Sequence, residues 1–257
     1  MNRQIPHQKN RLILWVSGFF VLFLLSGCAS DPNAKRQEWQ PSNAEFQLSD
    51  MVKSETNIVV ETTRMAVMKE LRNLAEKLYL RNPRELQKVP VSGYRTRLEQ
   101  LFSQNHDWKF KELGKHFGAT AIYLAFDDTY QGDRVFAFIA GLGYMIHASY
   151  EGKREFSMFD KLPTFQEPLH PQKLYNSARN IEIAAWRLFN TRTAIGEPYL
   201  YSIHLGDDAE PPNLSFERLT GKMVALQDLM AQVMAQKSKR AVKQVFSFVA
   251  SAVFLPI

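Results

Sequence analysis

A single cysteine, Cys28, occurs in 257 residues, so no disulfide can form within the chain and its stability must come from packing. The twelve glycines form no nucleophile elbow, phosphate-binding loop or dinucleotide fingerprint. Histidine is equally unhelpful as a metal signal. His106, His116, His147, His170 and His204 are scattered, and none lies four residues from another on an expected helix. No cofactor or metal is therefore expected. Charge is mixed rather than of one sign, with a formal balance of +6 and no basic recognition motif, so nucleic acid is not an expected partner. Internal repeats are absent. Long apolar runs are scarce too, and only the one over residues 12–25 approaches the length of a membrane span.

That run has informative flanks. Arg3, Lys9 and Arg11 precede it, Leu12 to Leu25 is almost wholly apolar, and Leu25-Ser26-Gly27-Cys28 follows. A charged start, an apolar stretch and small residues before a cysteine are the parts of an export signal ending at a modifiable thiol. The segment resembles the lipobox of bacterial lipoproteins. The resemblance covers roughly the first thirty residues. It implies that residues 1–27 are a cleaved signal and that Cys28 becomes the first residue of the mature protein. Cys28 would carry diacylglycerol with palmitate-type chains and usually a third acyl chain on its new amino group. Each buried methylene contributes about 0.8 kcal/mol, so two or three chains anchor stably in a membrane. In the family's usual sorting rule an aspartate directly after the cysteine retains the protein in the inner membrane; here Ala29-Ser30 follow. Outer-membrane attachment facing the periplasm is therefore expected. Loss of Arg3, Lys9 and Arg11 leaves 29 basic against 26 acidic side chains, a balance of only +3.

Residues 28–48 are polar and carry Pro32 and Pro41, which reads as a tether. From Ser49 the pattern becomes helical. Ser49 or Asp50 can cap a long helix in which Val60, Val67, Leu71, Leu74 and Leu78 recur at helical spacing up to Asn82-Pro83. Pro83 then suits the first turn of a short helix, ended by Pro90. Further helices are expected over about 94–103 and 107–117, the latter capped by Asp107. Ala119 to Phe126 and Val135 to Ala148 read as a helical hairpin whose second helix Asp133 caps. Another helix is expected over about 172–193, stopped by Gly196 and Pro198, followed by a short strand over Tyr199 to Ile203 and a last helical region from about Ser215. Long helical periods outweigh short alternating runs, and the high aromatic content favours a well-filled core. Residues 49–257 are thus expected to form one all-α, multi-helix domain.

Candidate sites are few. Asp127, Asp128 and Asp133 form the most enzyme-like group, since neighbouring carboxylates can hold a hard cation or share a proton, yet a turn and a helix start call for the same residues. Asp207, Asp208 and Glu210 read as a solvated loop. Lys69, Arg72, Lys77, Arg81, Arg84, Lys88, Arg95 and Arg97 outnumber Glu70, Glu76 and Glu85 around a helix end, where they fit either the helix dipole or an anionic partner. Within Val135 to Ile146, Ala137 and Gly141 put two small side chains on one face, which admits a close helix or, as the minority reading, a lipid-binding groove. Lys237, Lys239, Arg240 and Lys243 with Val242, Val245, Phe246, Val249, Val253 and Phe254 describe a basic amphipathic helix that docks on the core or on a membrane. The leading expectation is an outer-membrane lipoprotein, held at the membrane through acyl chains on Cys28, that binds or helps assemble another envelope protein or lipid without catalysis. The alternatives are a periplasmic hydrolase using Asp127, Asp128 and Asp133, and a lipid-binding protein.

Overall fold

Where the apolar residues recur every three or four positions, the chain is helical. The computed structural model describes residues 55–103, 106–154, 169–203, 213–243 and 253–257. Seven α-helices lie among them: α1 (Glu55–Arg81), α2 (Pro83–Leu86), α3 (Tyr94–Phe102), α4 (Ala119–Ala125), α5 (Arg134–Ser149), α6 (Pro171–Asn190) and α7 (Ser215–Ser238). The described residues contain no strand, and Arg192 and Pro198 form an isolated bridge. The domain is all-α. The signal, Cys28, the tether, residues 49–54, His204, the acidic group at 207–210 and Val245, Phe246 and Val249 lie outside the described residues.

Four long helices close on one another: α1 packs on α5 and α7, α5 on α6, and α6 on α7. α5 is the most deeply placed. From Val135 to Ile146 every residue but Tyr144 is buried, so its all-round apolarity is the pattern of a core helix. No described helix is long and apolar enough to cross a membrane. On α1 the buried face is Val60, Val67, Leu71, Leu74 and Leu78, as its period requires. A polar pin joins three of the four: Gln227 of α7, fully buried, donates to Ser149 Oγ at the end of α5 and to Ser177 Oγ of α6 at 3.2 and 3.0 Å.

The close approach foreseen at Gly141 belongs to α4. A Cβ on Gly141 would stand 2.6 Å from both the Gly118 carbonyl oxygen and Ile122 Cγ1. Gly143 is covered in turn by the Trp108 ring, which a methyl there would overlap. The face that offered a groove is therefore filled by the protein itself.

Three expectations need correction. Residues 107–117 form only a single 3-10 turn, Lys111–Leu113, because Trp108 adopts a left-handed backbone (φ 58°) where the helix was to begin. That turn sends its indole inward to Gly143, and Asp107 caps nothing. Tyr199 to Ile203 is not a strand; its backbone is met by the buried Asn82 amide, which donates to the Tyr201 carbonyl (2.9 Å) and accepts from the Tyr201 amide (2.7 Å). The terminal basic helix is also not continuous. α7 stops at Ser238, where Lys239 turns left-handed, and residues 240–243 are not helical. The final residues dock on α6 instead, with Leu255 held at both backbone groups by Asn180 and the Pro256 carbonyl by Asn176. Phe254 meets Tyr123 edge-on.

Candidate functional site

The three aspartates do not form one site. Asp127 is exposed and closes a local turn, accepting from the Thr129 amide (2.8 Å) and hydroxyl (2.7 Å), which holds its carboxyl below the usual range. Asp128 accepts from the Tyr199 hydroxyl at 2.6 Å. Asp133 is buried and caps α5 by accepting from the Phe136 amide at 2.9 Å. Its second oxygen accepts from Tyr79 Oη at 2.9 Å and Arg97 Nε at 3.0 Å. Burial pushes the Asp133 carboxyl up, opposed by the Phe136 amide and Arg97, and it pushes the Tyr79 phenol up as well. Every oxygen of Asp133 already has a donor. The arrangement around Asp133 organises a helix start.

Arg134 adds its field to Asp127 but makes its hydrogen bonds elsewhere. Its guanidinium turns back to the carbonyls of Ala125, Asp127 and Tyr130 at 3.0, 2.7 and 2.9 Å, satisfying the end of α4 and the following turn. Its own amide donates to the buried Glu85 at 2.9 Å, so a second carboxylate supports the start of α5.

The basic stretch separates into unlike tasks. Arg97 is 1% exposed and forks onto Glu112 at 2.9 and 2.6 Å while reaching Gln100 and Asp133. Arg84 donates to the Pro198 and Tyr199 carbonyls. Lys88 pairs with Glu85 at 2.7 Å. Lys69 and Arg72 go elsewhere, and they line a cavity with other cationic side chains.

That cavity has a volume of about 370 Å³. α1 supplies Arg64, Met65, Met68, Lys69 and Arg72, whose spacing puts them along one stripe. The end of α3 supplies Leu101 and Phe102, the connection after it His106 and Trp108, and the end of α5 and the following turn His147 and Arg154. Arg64 donates to the Arg154 carbonyl at 3.1 Å, Arg154 to the His106 carbonyl, and Arg72 lies over the Phe102 ring. The Nε donor of Arg64 is buried without an acceptor among the described residues. His106 accepts from the Trp108 amide at Nδ1 (3.0 Å), which leaves Nε2 as the donor to the Leu101 carbonyl at 2.9 Å. It is a neutral, satisfied ring whose job is to hold the Trp108 turn.

Neither a family model, nor a curated protein, nor a solved structure matches the chain. Local chemistry alone must therefore distinguish the sites. No group of three or more potential ligands capable of holding a metal occurs among the described residues. His116 is exposed, and His170 caps α6 by accepting from the Gln172 amide at 3.2 Å.

Burial pushes the His147 imidazole below its ordinary 6.5, with Arg154 adding to the shift and Asp107 opposing it. Burial lowers His106 likewise. The unfolded chain then binds these protons at higher pH than the folded chain, so the contribution of these two rings to stability is complete above pH 6.5 and is lost as the pH falls below it. A thermal midpoint that drops on acidification from pH 7 to 5 is expected, with a shallower drop in His147→Gln. An identical slope in the variant would contradict the assignment.

Proposed function

We propose that this protein is an outer-membrane lipoprotein, anchored through acyl chains on Cys28 and facing the periplasm, whose helical domain binds another envelope component without catalysing a reaction. The anchor rests on the order of charge, apolar run, Ser26-Gly27 and Cys28. The observation that favours binding over hydrolysis is the dispersal of Asp127, Asp128 and Asp133 onto separate structural partners. A hydrolase needs an acid or base within reach of a substrate proton, and Asp133 has no oxygen to offer.

In-cell crosslinking of the lipidated chain, with Cys28→Ala as control, tests the proposal. A discrete envelope component recovered with the wild type and lost with Cys28→Ala is expected. Cys28→Ala should also accumulate as an unprocessed precursor, visible as a larger chain on immunoblots; normal maturation of that variant would defeat the lipoprotein reading. Asp127→Asn provides the opposing arm, because loss of biological function at unchanged stability would favour catalysis.

A further inference from the structure

We infer that the cavity between the α2–α3 connection, α3 and the turn from α4 into α5 binds a neutral saccharide, with sugar hydroxyls on Gln100, Glu112 and Tyr130 and the C–H face of the ring against Val89, Val91 and Leu124. This deepens the envelope-binding reading and rests on it for the source of the sugar. The space measures about 720 Å³, within the range of ligand cavities. Its acceptor is held rigid from below. Glu112, 41% exposed, takes the Arg97 fork at 2.9 and 2.6 Å and keeps its outer lone pairs for a ligand. Its donor is set by the same guanidinium. Gln100 Oε1 accepts from Arg97 Nη1 at 2.9 Å, which fixes the amide orientation and leaves Nε2 to donate.

Tyr130 supplies a group that both donates and accepts. Tyr79, Tyr199 and Tyr201 each give their hydroxyl to a carboxylate, whereas the half-buried Tyr130 hydroxyl makes no hydrogen bond among the described residues. Gly132 makes room for it. The Gly132 backbone is not left-handed, so the turn itself does not require glycine there, yet a Cβ would overlap the Tyr130 hydroxyl and stand 2.6 Å from Cζ. Burial, then the fields of Asp133 and Glu112, push the phenol up to about 12, so it stays a hydroxyl at neutral pH. The charges select a neutral ligand. Arg97 is already matched by Glu112 and Asp133, so an anion gains no free cation from it, and a cation would compete with the guanidinium for Glu112. Sugar hydroxyls meet neither penalty, since each can donate to Glu112 and accept from Gln100 or Tyr130.

Calorimetric titration of the full chain in phosphatidylcholine nanodiscs, which avoid sugar-based detergents, tests the inference. The probes are maltotriose, triacetylchitotriose, cadaverine and glutarate. A trisaccharide is expected to bind, and the diamine and the dicarboxylate are not. Tyr130→Phe should weaken that trisaccharide about fivefold, the worth of one hydrogen bond, at unchanged urea stability, because the hydroxyl has no partner in the protein to lose. Tyr201→Phe, which removes an exposed hydroxyl outside the cavity lining, should leave the affinity unchanged. Four results would overturn the inference: no binding of either trisaccharide, equal binding of cadaverine or glutarate, full affinity in Tyr130→Phe, or equal weakening by Tyr201→Phe. Adding diglucosyl diacylglycerol to the nanodiscs separates the sources of the sugar. Loss of trisaccharide binding assigns the site to a glycolipid headgroup, and unchanged binding assigns it to a free glycan. The cavity belongs to the helical domain whether or not Cys28 is acylated, so failure here is distinguishable from failure of the envelope reading, which the crosslinking decides.

Discussion

Arg97→Ala is expected to destabilise the domain by about 3–5 kcal/mol, the cost of breaking a buried ion pair from one side. The guanidinium, 1% exposed, holds α3 to three other places at once: Asp133 at the start of α5, Glu112 in the 3-10 turn, and the Phe136 ring, whose centroid lies 3.8 Å away. Its removal leaves the buried Asp133 carboxylate with the Tyr79 hydroxyl and the Phe136 amide but no compensating cation. Arg97→Lys should recover little, because an ammonium has no planar fork to reach Asp133 and both Glu112 oxygens together. Urea unfolding of the full chain measures both effects. Recovery by lysine to within about 1 kcal/mol of wild type would show that charge alone, rather than the fork geometry, matters here.

Gly143→Ala is expected to cost about 1–3 kcal/mol, as overpacking of a filled core does. The added methyl would fall within the Trp108 indole, and the ring has nowhere simple to go. Phe102, His106 and Phe110 surround it edge-on or nearly so at centroid distances of 5.4, 5.2 and 6.4 Å. Since Trp108 also lines the cationic cavity, its displacement should alter tryptophan fluorescence as well as stability. In a Trp108→Leu background the same methyl should cost measurably less, because the overlapping atoms are gone. Equal costs in the two backgrounds would show that the clash is not the cause.

The helices were legible because their signals are local. Asn82-Pro83 ends α1 and opens α2, and Asp133 caps α5, since a proline ring and a capping carboxylate act on their immediate neighbours. The buried character of α5 followed from an apolar stretch too short to span a membrane. Distant pairings were not legible. Trp108 abandons helical geometry to cover Gly143, thirty-five positions on, and Asn82 serves Tyr201 across the fold. The same limit explains the candidate site. Lys69 and Arg72 stood out as part of a basic stretch, but Arg64, five positions before Lys69 on α1, was left outside it. Arg154 carried no such signal, because only the packing of α5 against α1 brings it to that stripe. The aspartates were legible as turn and helix-start residues, and the shared site that their proximity also allowed does not form, because the turn sends each to a different partner.

The reading of the domain as an envelope-binding module depends above all on its anchor. Intact-mass analysis of the protein isolated from outer-membrane fractions tests that most directly. A chain beginning at Cys28 is expected, with the mass of residues 28–257 plus diacylglycerol and a third acyl chain. Recovery of residues 1–27 still attached to an unmodified Cys28, or of an unacylated chain free of the membrane, would contradict it.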